Sequence, residues 1–208
     1  LEGILRLTEN KDWIFISLLA LIGIFIFTRF YFNKYYANLN NLHEFSQVKE
    51  NFLTFYSIAQ FSFLFLISLV ILPTFSLRVG AEYYYYPPFV LVFLGLFIWF
   101  FFKGFINFLL FSATGQRETL KDFFHQKLYF LIWFSSIYFA LAWLAHYSKI
   151  PSTLILYTFL AIFISQQILE THSIFNLLYK KLKLPLYYLF LYLCMLEVLP
   201  LIYLYKIW

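Results

Sequence analysis

One cysteine, Cys194, stands among 208 residues. That excludes an internal disulfide, and any multi-cysteine metal or iron–sulfur centre within the chain. Charge is also scarce: 12% of the residues are charged, against 63% hydrophobic. Soluble domains carry about twice that share of charge. There is no Walker loop, no GxSxG, no HExxH and no dinucleotide-type glycine pattern. Six glycines are present, and no two lie four apart, so the GxxxG pairing motif is absent. The four histidines, His43, His125, His146 and His172, show no i, i+4 metal-ligand spacing. An axial haem pair across two helices is the arrangement they leave open, and no cofactor or metal is expected. No loop is long enough for a soluble domain, and no internal repeat or inverted pair of broken helices is visible.

What the chain does have is long apolar runs. Six stand out, at about Trp13–Phe32, Phe52–Leu72, Pro88–Phe111, Leu128–Tyr147, Thr153–Ile174 and Pro185–Lys206. Each is roughly 20 residues, enough for a helix to cross hydrocarbon. A transmembrane strand would need only ~10 residues and would alternate polar with apolar. These runs do not alternate. The expected fold is therefore all-α: one polytopic domain, residues 1–208, of six transmembrane helices. Proline supports the boundaries, with Pro73 after the second run, Pro87 and Pro88 before the third, Pro151 before the fifth and Pro185 opening the sixth. Pro200 alone lies inside a run and is expected to kink it.

The net charge of +5 would suggest nucleic acid in a soluble protein. Here the positive-inside rule accounts for it, and no nucleic-acid partner is expected. With six spans, one side receives Arg29, Lys34, Lys49, Lys103, Arg117, Lys121, Lys127, Lys180, Lys181 and Lys183. The other receives Arg6, Lys11, Arg78, Lys149 and Lys206. The ten-to-five split places both termini outside. The chain opens on Leu1 without a visible cleavable signal, so it is expected to be a processed product or part of something longer, and an outward N-terminus calls for a short tail or an upstream targeting segment.

Two inner loops carry features. Asn33–Asn51 is polar, with Asn38, Asn40, Asn41, His43 and Glu44. Ser112–Lys127 sets Leu120, Phe123 and Phe124 at i, i+3, i+4. It reads either as a short interfacial helix or as an extension of the fourth span. The outer loop holds Tyr83, Tyr84, Tyr85 and Tyr86, which suits the headgroup level or an aromatic ligand. Small residues gather in the fourth span (Ser135, Ser136, Ala140, Ala142, Ala145) and permit close helix approach.

Polar residues inside the spans are the candidates for chemistry. Glu197 lies near the middle of the last run, where a carboxylate costs roughly 2.5–3.5 kcal/mol. By depth, Gln60, Lys103, Gln166, Gln167, Glu170 and Glu197 fall into one buried layer in the inner half of the membrane. Gln166 and Glu170 share a face at i, i+4, and Cys194 shares the face of Glu197. Two readings compete. In one, Glu197 titrates or binds a cation and Lys103 and the glutamines line a path. In the other, the same groups tie helices together, with a Lys103–Glu197 pair at the centre.

The last run, Leu191-Tyr192-Leu193-Cys194-Met195-Leu196-Glu197-Val198-Leu199-Pro200 followed by an apolar stretch and Lys206, resembles the C-terminal signature of an uncharacterised family of Bacteroidota integral membrane proteins. The resemblance implies an inner-membrane location in a Gram-negative envelope. It transfers no catalytic residue. Three functions are expected, in descending order. The first is a non-enzymatic scaffold or assembly factor in a larger envelope complex, such as a secretion or motility machine, with lipids and other membrane subunits as partners. The second is a small permease or ion-coupled transporter using Glu197 and Lys103. The third is a lipid-modifying enzyme using Glu170, His172 and His125.

Overall fold

A computed structural model describes residues 12–48, 51–79, 87–113 and 117–182. The elements are α1 Asp12–Tyr31, α2 Asn33–Ala37, α3 Leu42–Gln47, α4 Phe52–Val79, α5 Pro87–Ala113, α6 Arg117–Tyr147 and α7 Ser152–Leu182. Among the described residues there is no strand. Five helices are long and apolar enough to cross a membrane. They correspond to the first five runs of the sequence. The sixth run, with Cys194, Glu197 and Pro200, lies outside the described residues, as does the outer tyrosine cluster at 83–86.

Helix α4 is the axis of the bundle. Its span is 56% buried, against 17% for α5 and 22% for α1 and α7. It packs most extensively on α6, then on α5 and α7, while α1 lies along one side. The shared core holds Leu18 of α1, Phe63 and Ile67 of α4, Phe100 of α5, Tyr138 of α6 and Phe159 of α7. Lipid competes equally for apolar surface, so packing inside a bilayer relies on close contact and ring geometry. Phe63 meets Tyr138 edge-on at 5.4 Å, and Phe25 of α1 meets Phe139 at 6.2 Å. Of the small residues on α6, Ser135 and Ala142 are buried one heptad apart, while Ser136 and Ala140 are exposed. Ser135 bonds the Leu131 carbonyl one turn back, which satisfies a hydroxyl that lipid could not.

Three helices, α4, α6 and α7, run well past the apolar runs of the sequence. The segment before Leu128 is the extension of α6, not a separate interfacial helix: α6 begins at Arg117, with Phe123 buried. Helix α7 continues to Leu182. Helix α4 continues through Pro73 to Val79, so Pro73 is not the boundary that the sequence suggested. The apolar span does stop at Pro73. Proline lacks the N–H that would bond the carbonyl four residues back, here that of Leu69. His146 of α6 supplies the missing donor, with Nε2 at 2.8 Å from the Leu69 oxygen. A carbonyl can only accept, so Nε2 carries the hydrogen.

The loop between α1 and α4 folds into a cap. Asn41 closes the start of α3 by accepting from the His43 N–H at 3.1 Å, and its amide donates to Glu44 at 3.0 Å. Phe32, Tyr35, Phe45, Phe55 and Leu128 form a second buried cluster under it. Phe32 and Phe55 stack at 4.5 Å, and Tyr35 meets Phe45 at 5.3 Å. Burial pushes the Tyr36 phenol above its ordinary value of 10.0, against smaller lowering effects from its bond with Thr28 and the charge of Arg29. Asn51 turns the chain from cap to α4 in the left-handed region, at φ 44°, which asparagine tolerates better than most residues.

Candidate functional site

Four of the candidate polar residues, Lys103, Gln166, Gln167 and Glu170, take part in hydrogen bonds centred on α7. The spacing of Gln166, Gln167 and Glu170 presents two adjacent faces of that helix. Gln166 and Glu170 turn inward and are 1% and 5% exposed. Gln166 Nε2 donates to Glu170 Oε1 at 2.7 Å. Tyr138 of α6 donates its hydroxyl to Gln166 Oε1 at 3.0 Å. Lys103 of α5, 6% exposed, donates from Nζ to Gln167 Oε1 at 3.2 Å. The last two bonds tie α6 and α5 to the same turn of α7. Tyr56 of α4 and Tyr138 both lie within electrostatic reach of the Glu170 carboxylate.

Two more buried polar side chains border the layer. Asn107 sits one turn beyond Lys103 on α5. Lys127 of α6 is buried with Nζ 5.6 Å from the centroid of the Phe100 ring, a cation–π arrangement. Gln60 of α4 is half-buried and makes no side-chain hydrogen bond among the described residues. It is at the foreseen depth but is not joined to the cluster. Cys194, Glu197 and Pro200 lie outside the described residues. The Lys103–Glu197 pair therefore falls outside what is described; among the described residues Lys103 bonds the Gln167 amide oxygen.

Sequence reasoning missed Tyr138, Tyr56, Lys127 and Asn107. Counting amides and charges overlooked the phenols. A signal was present in Tyr138, which sits mid-span, whereas membrane tyrosines gather at the headgroups.

The arrangement can share hydrogen bonds, and among the described residues it does not bring together the three groups considered for lipid chemistry. Of the three groups considered for lipid chemistry, Glu170 is buried and bonded to Gln166. His172 is exposed and accepts from the Asn176 amide at 3.0 Å. His125 is fully buried, and both its ring nitrogens face backbone carbonyls. Among the described residues no three His, Cys, Asp or Glu side chains form a metal-binding group.

A family model described as "Domain of unknown function (DUF4271)" matches residues 13–208. The chain belongs to the DUF4271 family. The match takes in all five described spans and the sixth apolar run of this DUF4271 chain. No curated protein and no solved structure matches it.

Proposed function

We propose that this DUF4271 protein is a non-enzymatic subunit of the bacterial inner membrane, a scaffold or assembly factor for a larger envelope complex. One observation carries the reading: the polar groups of the inner layer bond one another across helices. Lys103 reaches Gln167, and Tyr138, Gln166 and Glu170 form a chain. Bonds of this kind hold membrane helices together. A transport path needs titratable groups that continue towards both surfaces. In the outer half, His146 is spent on the backbone of α4. The resemblance of the last run to Bacteroidota membrane proteins suggests a secretion or motility machine as host.

The test is affinity purification in mild detergent, with mass spectrometry of the co-purifying proteins. Defined membrane partners should be recovered, and Glu170→Gln, which keeps an acceptor for Gln166, should leave them in place. A protein that runs alone, with no partner lost or gained in any variant, contradicts the proposal. A second reading is a small permease that uses Lys103 and Glu197. It is favoured by the burial of an ammonium and a carboxylate, Lys103 and Glu170, in the same layer. It requires transport by the purified protein in liposomes.

A further inference from the structure

His125 has an unusual set of partners. Its side chain is fully buried on α6, under the cap. Nδ1 lies 2.8 Å from the Lys121 carbonyl, one turn back on α6. Nε2 lies 2.9 Å from the Val48 carbonyl, at the end of the cap. Neutral imidazole has one N–H donor and one lone pair. A carbonyl oxygen cannot donate. Two carbonyl partners are both satisfied only when both ring nitrogens carry hydrogen, and that form is imidazolium.

The surroundings suit a cation. The Phe52 ring lies parallel to the imidazole, with centroids 4.0 Å apart and planes 17° from coplanar. Its π face is the side that attracts positive charge. The ring of Tyr35 is 6.4 Å away, and the Tyr35 hydroxyl donates to the same Val48 oxygen at 3.3 Å. The ionisable groups carried by the elements around it are Lys121, Asp122, Lys127 and Tyr129 on α6 itself, Lys34, Tyr35 and Tyr36 on α2, His43 and Glu44 on α3, Tyr56 on α4, and Glu170 and His172 on α7, and of these the Tyr35 ring is the one placed against the imidazole. Lys49 and Glu50, which come after Val48, lie outside the described residues. Among the described residues no carboxylate is hydrogen-bonded to the ring, so the two carbonyls and the aromatic face carry the charge.

We propose that His125 is held as imidazolium and works as a proton-operated latch, fastening the cap at residues 32–48 to α6. Loss of one proton to solvent leaves a nitrogen lone pair facing a carbonyl lone pair, in a site that excludes water. One of the two bonds must then open. The Lys121 carbonyl is on the histidine's own helix, so only the Val48 bond joins separate parts of the fold. Opening it frees the cap end next to Phe52 and Tyr56. Tyr56 packs in both buried clusters and sits beside the Glu170 layer. The latch therefore couples pH to the inner end of the bundle, whichever function that bundle serves.

The test uses the full-length protein in nanodiscs with ring-15N-labelled histidine. The His125 signals are identified from those of His43, His146 and His172 by single substitutions of those three. At low pH both nitrogens of His125 should appear protonated. As the pH is raised, one proton should leave. Amide exchange of residues 33–48, corrected for its intrinsic pH dependence, should then accelerate by roughly 10- to 100-fold, the worth of one bond to a charged group. In His125→Gln, exchange should be fast and independent of pH. If that variant does not fold, the wild-type titration decides alone. The latch is overturned by a ring with one protonated nitrogen at every pH. It is equally overturned by cap protection that does not change when the proton leaves, or by an imidazolium that never releases it.

Discussion

Replacing His146 by phenylalanine keeps a ring of similar volume and removes one N–H. That N–H is 2.8 Å from the Leu69 oxygen, at a residue with no measurable exposure. In an ordinary helix the oxygen would receive the N–H of residue 73. Pro73 has none to offer. His146→Phe thus strands an acceptor where no water can reach it. An unsatisfied buried acceptor costs about 1–3 kcal/mol. Hydrogen bonds between membrane helices measured by double-mutant cycles average ~0.6 kcal/mol and reach ~1.7. The Leu69 case should fall at the upper end, because the proline leaves no local alternative. Pro73→Ala provides that alternative by restoring the backbone donor. In the Pro73→Ala background, His146→Phe should therefore cost roughly 1–1.5 kcal/mol less than in the wild type. The assay is reversible unfolding in mixed detergent–SDS micelles, monitored by tryptophan fluorescence, with Trp143 one turn from the histidine. Additivity of the two substitutions within about 0.3 kcal/mol would refute the reasoning.

Tyr138→Phe should destabilise the bundle by about 0.5–1.5 kcal/mol in the same assay, because it removes the donor to Gln166 without changing the ring. The alkaline limb of stability should respond to Tyr36. Its folded-state value is raised above 10.0, so its contribution is intact below that pH and is lost as pH climbs towards the raised value. Tyr36→Phe should lose less stability than the wild type over that window, read as the difference between two unfolding curves in alkaline detergent.

The spans were legible in the sequence because lipid imposes a length and a polarity that few other constraints imitate. Their ends were less so. Hydropathy reports where the hydrocarbon stops, and the helices do not stop there. Helix α6 begins eleven residues before the Leu128 that opens the apolar run, and there Phe123 is buried and Phe124 packs edge-on against Tyr56 of α4 at 5.4 Å. Helix α4 outlasts Pro73 because a histidine on another helix replaces the lost donor. Nothing local to Pro73 announces a partner so far along the chain. The polar groups were legible as one candidate set, with Lys103, Gln166, Gln167 and Glu170 inside apolar runs. The pairing within it was not. Depth places groups at one level, whereas rotation about each helix decides which of them touch. Gln60 shows the difference, being at the right level and outside the network. His125 was read only as a residue of the membrane edge. Its two carbonyl partners come from α6 and from the far end of a cap that the sequence showed as a polar loop.

Everything turns on whether the ionisable and amide groups around Gln166 and Gln167 act as bonds between helices. The most direct measurement is the coupling between Lys103 and Gln167, from unfolding of Lys103→Met, Gln167→Leu and the double variant. The pair should be coupled favourably, by about 0.6–1.7 kcal/mol. Coupling indistinguishable from zero, with each single substitution harmless to the fold, would contradict that claim.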